Sequence, residues 1–248
     1  INKSKILLYK KVQQRRVIFM IKFSDVCKSY SDNQNTLENI NIGINQGEFV
    51  FLLGKSGAGK STFLKLLTRE EKISSGRLTI LGTDVSKIKQ NKVHLYRRNF
   101  GIVFQDFRLL KEKTVYENIE IAMRAVGANP KDIKPRIFEV LKKVGLASKF
   151  KNYPHELSGG ECQRVAIARA IVNKPSILIA DECTGNLDSL NSMRILNILK
   201  DINKEGVTVI MATHDMEIVN KFPYRIIEIE GKTIVRDTKR DYYESDYI

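Results

Sequence analysis

The chain has 248 residues, of which 42% are hydrophobic and 28% charged, a globular balance long enough for one buried α/β domain or a core with an inserted subdomain. Its longest apolar runs fall far short of the roughly 20 residues that cross a bilayer, so a membrane role calls for a partner. The net charge of +14 suits either an anionic partner surface or a lysine-rich solvated face.

Residues 1–20 are read as a basic extension outside the fold, with Lys3, Lys5, Lys10, Lys11, Arg15 and Arg16 and no acid before Met20. Met20 is the expected native start; the alternative is a basic tail that touches lipid. No apolar stretch with a small-residue cleavage site precedes the fold, which argues against export and for the cytosol. Three cysteines without metal-ligand spacing, Cys27, Cys162 and Cys183, are expected as reduced thiols.

From residue 21 the chain alternates in short strands, over 21–26 and 37–44. A continuous apolar run at 49–53 suits a strand buried on both faces. A helix over 59–68 turns Phe63, Leu64, Leu66 and Leu67 inward, and 101–104 is a further strand. The middle is helical by period, over 115–126 and 133–144. In the second helix Ile133, Ile137, Val140, Leu141 and Val144 share a face. Residues 106–173 therefore read as a helical subdomain inserted in an α/β core. Strands return at 177–181 and 207–212. The helix between them carries Leu190, Ile195, Ile198, Leu199 and Ile202, a crossover that implies a mostly parallel sheet. Residues 225–235 read as a closing hairpin around Glu230-Gly231, and 236–248 as a polar tail.

The chemistry begins between the buried run and its helix. Gly54, Lys55, Ser56, Gly57, Ala58, Gly59, Lys60 and Ser61 fit G-x-x-x-x-G-K-[ST], the phosphate-cradling P-loop. Glycines let backbone N–H groups approach phosphates, and the helix aims its positive end at them. Lys60 would reach the β- and γ-phosphates, the Ser61 hydroxyl would ligate Mg²⁺, and Thr62 would lie on the α-phosphate side. Residues 177–182 read ILIADE, an apolar strand delivering Asp181 for Mg²⁺ and Glu182 as general base at its carboxyl end.

With these motifs, Leu157-Ser158-Gly159-Gly160-Glu161, followed by Gln163 and Arg164, resembles the signature of the ATP-binding cassette (ABC) ATPases. Ser158 Oγ, the glycine amides and a helix N-terminus make a second anion site. Tyr30 resembles the family's adenine-stacking aromatic residue, and Gln105 its Q-loop glutamine. Residues 185–188 (GNLD) resemble the D-loop that ends in Asp188, and His214 the switch histidine.

The resemblance implies an ABC-ATPase fold over 21–235: a P-loop core, an N-terminal antiparallel β subdomain and the helical insert. It implies ATP and Mg²⁺, with Glu182, His214, Gln105 and Lys60 catalytic. Nucleotide contacts would come from Tyr30, the P-loop, Thr62, Gln105, Ser158, Gly159, Gly160, Glu161, Asp188 and His214. Magnesium would lie on Ser61, Gln105 and Asp181. A second copy of the chain would complete an ATP-sandwich dimer, and an integral membrane protein would hold the chain at the cytoplasmic face of the plasma membrane.

The segments RRNFG, VFQDFRLL, TVYENI, TGNLD and MATHD resemble the branch of the family that serves cell division. TGNLD is shared with ATPases of lipoprotein release and macrolide export. No nucleic acid is expected, since there is a single cassette and no aromatic-basic RNA motif. The run Lys87, Lys89, Lys92, Arg97 and Arg98 suits anionic lipid or a solvated face equally. Cys183 stands where the family usually has proline, and Cys162 where a polar residue is common. Both are expected to make activity sensitive to oxidation.

Overall fold

The computed structural model describes residues 19–31 and 34–238; readings made for 1–18 and 239–248 lie outside them. Its strands are β1 (Ile21–Ser31), β2 (Gln34–Ile44), β3 (Phe49–Leu53), β4 (Ser75–Ile80), β5 (Thr83–Asp84), β6 (Phe100–Val103), β7 (Ile177–Asp181), β8 (Thr208–Ala212), β9 (Arg225–Glu230) and β10 (Thr233–Thr238). Its α-helices are α1 (Lys60–Leu67), α2 (Val93–Arg97), α3 (Val115–Ala125), α4 (Pro130–Lys143), α5 (Gly159–Ile171), α6 (Ser189–Lys204) and α7 (Met216–Lys221). Among the described residues no helix is long and apolar enough to cross a membrane.

Two sheets result. One is antiparallel, in the order β2-β1-β4-β5. The other runs β10-β9-β3-β8-β7-β6, parallel except for the edge strand β10. The parallel strands are apolar throughout because both faces are covered. Phe49, Phe51, Leu178, Ala180, Val209 and Met211 enter one core with α3, α4, α5 and α6. Val50, Leu52, Ile177, Ile179 and Ile210 enter a second core with α1 and the antiparallel sheet. The period of two along each strand thus builds a layered α/β domain.

The inserted helices start at sequence-encoded caps. Thr114 and Glu117 form a reciprocal capping box at α3, and Asn129 caps α4 with Pro130 in its first turn. The smaller elements β4, β5, α2 and α7 escape the sequence reading because β5 buries no apolar side chain and each of the others only two. Helix α2 nonetheless secures the end of α1. Tyr96 Oη donates to the Leu67 carbonyl at 2.5 Å and Arg97 Nε to that of Thr68 at 2.9 Å, satisfying helix-end carbonyls.

Both ends of the domain need correction. Met20, assigned to the extension, is 6% exposed within the second core, and its carbonyl accepts from Leu81 N–H. Its apolar side chain fills space beside Ile21. At the other end β10 continues to Thr238, past residue 235. Its last residues are polar, so hydropathy hides them, yet Asp237 pairs with the buried Arg225.

Candidate functional site

Four neighbouring parallel strands, in the order β3, β8, β7, β6, deliver the expected functional residues from their carboxyl ends. After β3 comes the P-loop, after β8 His214, after β7 Glu182, and after β6 Gln105. The strand ends are tied together: Thr213 N donates to Leu52 O at 3.2 Å and Glu182 N to Ala212 O at 3.0 Å. Ligands bind at this end of such sheets, beyond the carboxyl termini of the strands.

The P-loop needs its glycines. Gly59 has φ +108, and a Cβ there would lie 2.7 Å from Leu37 Cδ2 and 3.1 Å from the Thr36 carbonyl. The loop turns tightly enough for Lys60 to fold back. Its buried ammonium donates to Gly54 O at 2.5 Å and Lys55 O at 3.2 Å, and lies 3.9 Å from Glu182 Oε1. Ser61 is exposed at the head of α1, as are Lys55, Ser56 and Gly57, while Ala58 is half-buried. Tyr30 is 55% exposed, with its hydroxyl 3.4 Å from Thr62 Oγ1 and the Lys28 ammonium 4.5 Å from its ring centre. That leaves an open aromatic face beside the P-loop helix.

Glu182 sits at φ +46, a left-handed conformation unusual for a non-glycine residue and found where geometry is imposed by surroundings. Its carboxylate lies between Lys60 and His214, whose Nδ1 is 3.4 Å from Oε1. The His214 side chain is 64% exposed, so it is free to turn. Asp181, half-buried, has its carboxyl held above the ordinary carboxylate range, by burial first and by the Glu182 charge second. Gln105 is exposed and lies against Gly185.

The signature residues form a separate cluster. Ser158 caps α5 in a reciprocal box: Glu161 N donates to Ser158 Oγ at 3.3 Å, and Ser158 N to Glu161 Oε2 at 2.9 Å. Gly159 packs toward Leu187, and at Gly160 a Cβ would collide with Asn191. Two residues expected among the nucleotide contacts are engaged in their own helices. Glu161 holds Ser158 N–H and Lys149, at 2.6 Å. Asp188 caps α6 through Asn191 N and Nδ2, at 2.8 and 2.7 Å. Both carboxyls are held below their ordinary values, Glu161 by Lys149 first, Asp188 by the Asn191 amide first. Among the described residues no hydrogen bond or ion pair joins Ser158, Gly159, Gly160 or Glu161 to residues 54–62. A single chain thus holds the P-loop with Glu182 and His214 in one cluster and the Ser158 helix cap in another.

The chain belongs to the ABC transporter family. It matches that family over residues 37–185. It is 50% identical to the cell division ATP-binding protein FtsE of Streptococcus pneumoniae, over 92% of this chain and 99% of that protein. Identity to FtsE of Bacillus subtilis is 48%, over 91% and 99% of the two chains. Among solved structures it resembles cbiO1 from Clostridium perfringens, part of the ABC transporter complex cbiONQ, at TM-score 0.83 and 31% identity over 88% of each chain. It also resembles the ATP-binding cassette MJ0796, solved as a dimer bound to ADP and Pi, at TM-score 0.78 and 35% identity over 88% of this chain and 98% of that one. This ABC protein is an ATPase, as its motifs imply.

Two polar residues near the site carry more than the sequence suggests. Arg169 of α5 forks onto the carbonyls of Phe107 at 2.7 Å and Arg108 at 2.5 Å, two successive residues at positive φ just beyond Gln105. Gln163 is fully buried and donates to Phe104 O at 3.3 Å. Only the tertiary contact reveals either role, because both look like ordinary polar positions of an amphipathic helix. The thiols depart from expectation as well. Cys183 is 2% exposed and burial pushes it up to about 12; Cys162 is buried and also raised. Neither has the exposed, thiolate-rich setting that oxidation requires.

Proposed function

We propose that the chain is the ATP-hydrolysing subunit of an FtsE-like division complex, working as a homodimer at the cytoplasmic face of the plasma membrane. An FtsX-like integral membrane partner would pass its ATP cycle to cell-wall hydrolases. The observation that carries the composite site is the placement of Glu182 between Lys60 and His214, with Ser158 in a cluster apart from them. A second copy then supplies Ser158 to the P-loop of the first, and receives the same in return.

On this reading Lys60 exchanges the Gly54 and Lys55 carbonyls for phosphate oxygens. Glu182 takes the proton of the attacking water as its oxygen bonds to the γ-phosphorus and the bond to ADP breaks. His214 turns onto the γ-phosphate, and Gln105 orients the water. The Ser61 hydroxyl, the Gln105 amide oxygen and the Asp181 carboxylate are hard oxygen donors that suit Mg²⁺, and the raised Asp181 carboxyl is one that a cation would ionise. Magnesium supplies charge neutralisation on the phosphates.

The membrane partner would seat in a groove of about 450 Å³ lined by Arg97, Arg98, Ile102, Ala122 and Arg169, beside the segment that follows Gln105. Its cationic rim suits an acidic cytoplasmic segment; the basic run before it could also meet anionic lipid.

Glu182→Gln should bind ATP and accumulate as a dimer in ATP and Mg²⁺, measured by light scattering. A variant that stays monomeric would count against the composite site. Affinity capture from membranes tests the division role. Recovery of a lipoprotein-release or macrolide-export permease would replace that role and leave the ATPase intact.

A further inference from the structure

Gln163 has no part in the chemistry above, yet its Oε1 is the buried side-chain polar atom without a hydrogen-bond partner among the described residues. The residue is 0% exposed. Its Nε2 donates to the carbonyl of Phe104, the residue immediately before Gln105. The same amide acts on the thiol of Cys183, the residue immediately after Glu182, tempering the rise that burial causes. It does so from α5, whose N-terminus is Ser158. Three segments far apart in sequence therefore converge on one amide.

A half-satisfied buried amide is costly, and an apolar side chain of equal length would suit the core better. Packing alone gives no reason for an amide at this position. Such groups are found where geometry is held for function. We propose that Gln163 is a positioning residue for hydrolysis, fixing Gln105 and Glu182 relative to the helix that presents Ser158. Seating of α5 against the opposing ATP is then felt at both hydrolytic groups of the same subunit. The contact with Phe104 O sets the backbone from which Gln105 leaves β6. Its influence on Cys183 reaches the segment that holds the strained Glu182. This inference rests on the composite ATP site and is independent of which membrane protein is the partner.

The test uses the full chain with Gln163→Met, which keeps the length and removes both polar atoms, and Gln163→Leu as a second packing solution. Steady-state ATPase rates and thermal midpoints are measured for each. The expected result is a fall in kcat of about tenfold, equal to roughly 1.4 kcal/mol of barrier, with KM for ATP within about twofold. The midpoint should be unchanged or higher in at least one variant. A kcat within about twofold of wild type would overturn the proposal. So would a joint loss of kcat, ATP affinity and thermal midpoint in both variants, since that describes a structural residue. Adding Gln163→Met to Glu182→Gln separates the two readings. If Glu182→Gln alone forms the ATP dimer, the double variant should form it equally, and failure to do so would overturn a role in hydrolysis. If Glu182→Gln itself stays monomeric, the composite site is what has failed, and kcat of the single Gln163 variants still decides whether the amide serves hydrolysis within one chain.

Discussion

Arg225→Met would test how the C-terminal edge is held. The Arg225 side chain is 6% exposed and donates to Asp237 Oδ1 and Oδ2 at 2.7 and 2.8 Å, to Glu48 Oε2 at 2.7 Å and to the Gly43 carbonyl at 2.8 Å. Burial works against its charge, but the hydrogen bonds and charges of Asp237 and Glu48 more than offset this and hold the guanidinium above its ordinary value. Removing one member of a buried ion network costs about 3–5 kcal/mol, because partners are left desolvated. Here the Glu48 and Asp237 side chains keep 24% and 32% exposure, so water rescues part of the loss and the low end, about 3 kcal/mol, applies. A domain of this size loses about 2–4 °C per kcal/mol, which gives a fall of about 6–12 °C in thermal midpoint by circular dichroism. Asp237→Asn leaves Glu48 and the Gly43 carbonyl on the guanidinium and should lose less. A fall under about 2 °C for Arg225→Met, or a larger loss for Asp237→Asn, would refute the reasoning.

Three further outcomes follow from the site. Gly59→Ala places a Cβ against Leu37 and the Thr36 carbonyl at a φ that alanine rarely adopts. ATP affinity, read by calorimetric titration, should fall at least about tenfold, the equivalent of roughly 1.4 kcal/mol of P-loop strain; an affinity within about twofold would contradict the steric account. Glu161, with its folded value below its unfolded one, contributes stability that is complete above the unfolded glutamate range and is lost as pH falls through the lower folded value. The thermal midpoint of Glu161→Gln should therefore lie below wild type at neutral pH and converge on it in strong acid; a constant gap would exclude that linkage. Native thiol titration at neutral pH should modify Cys27 ahead of Cys162 and Cys183, which are buried with raised values. Rapid modification of all three, or loss of activity in mild peroxide through Cys183, would contradict their burial.

The motifs were legible in the sequence because each works through contiguous backbone. The P-loop amides, the Ser158 cap and the acidic pair at the end of β7 occupy a few successive residues, and their spacing is set by turns and helix starts that local chemistry dictates. The buried strands and the helical insert were legible for a related reason: apolar runs and periods of 3.6 are local properties. Weakly apolar pieces were not. The sequence pattern of β10 stops at Val235, although Asp237 continues the strand by reaching Arg225.

What required the tertiary structure is everything that depends on strand order. Lys60, Glu182 and His214 are scattered over 155 positions of the sequence, and they converge because β3, β8 and β7 lie side by side with their carboxyl ends level. That order is a property of the whole sheet, packed on both faces, which no short segment encodes. The same packing buried Cys183 and Cys162, removing the reactivity their composition suggested. It also brought Gln163 between the Gln105 and Glu182 segments. The residue pattern alone pointed to a P-loop at residues 54–61 and to a helix-capping signature at Ser158. Only the folded sheet decided which acid faces the lysine, and that the Ser158 cap belongs to a different cluster from the P-loop.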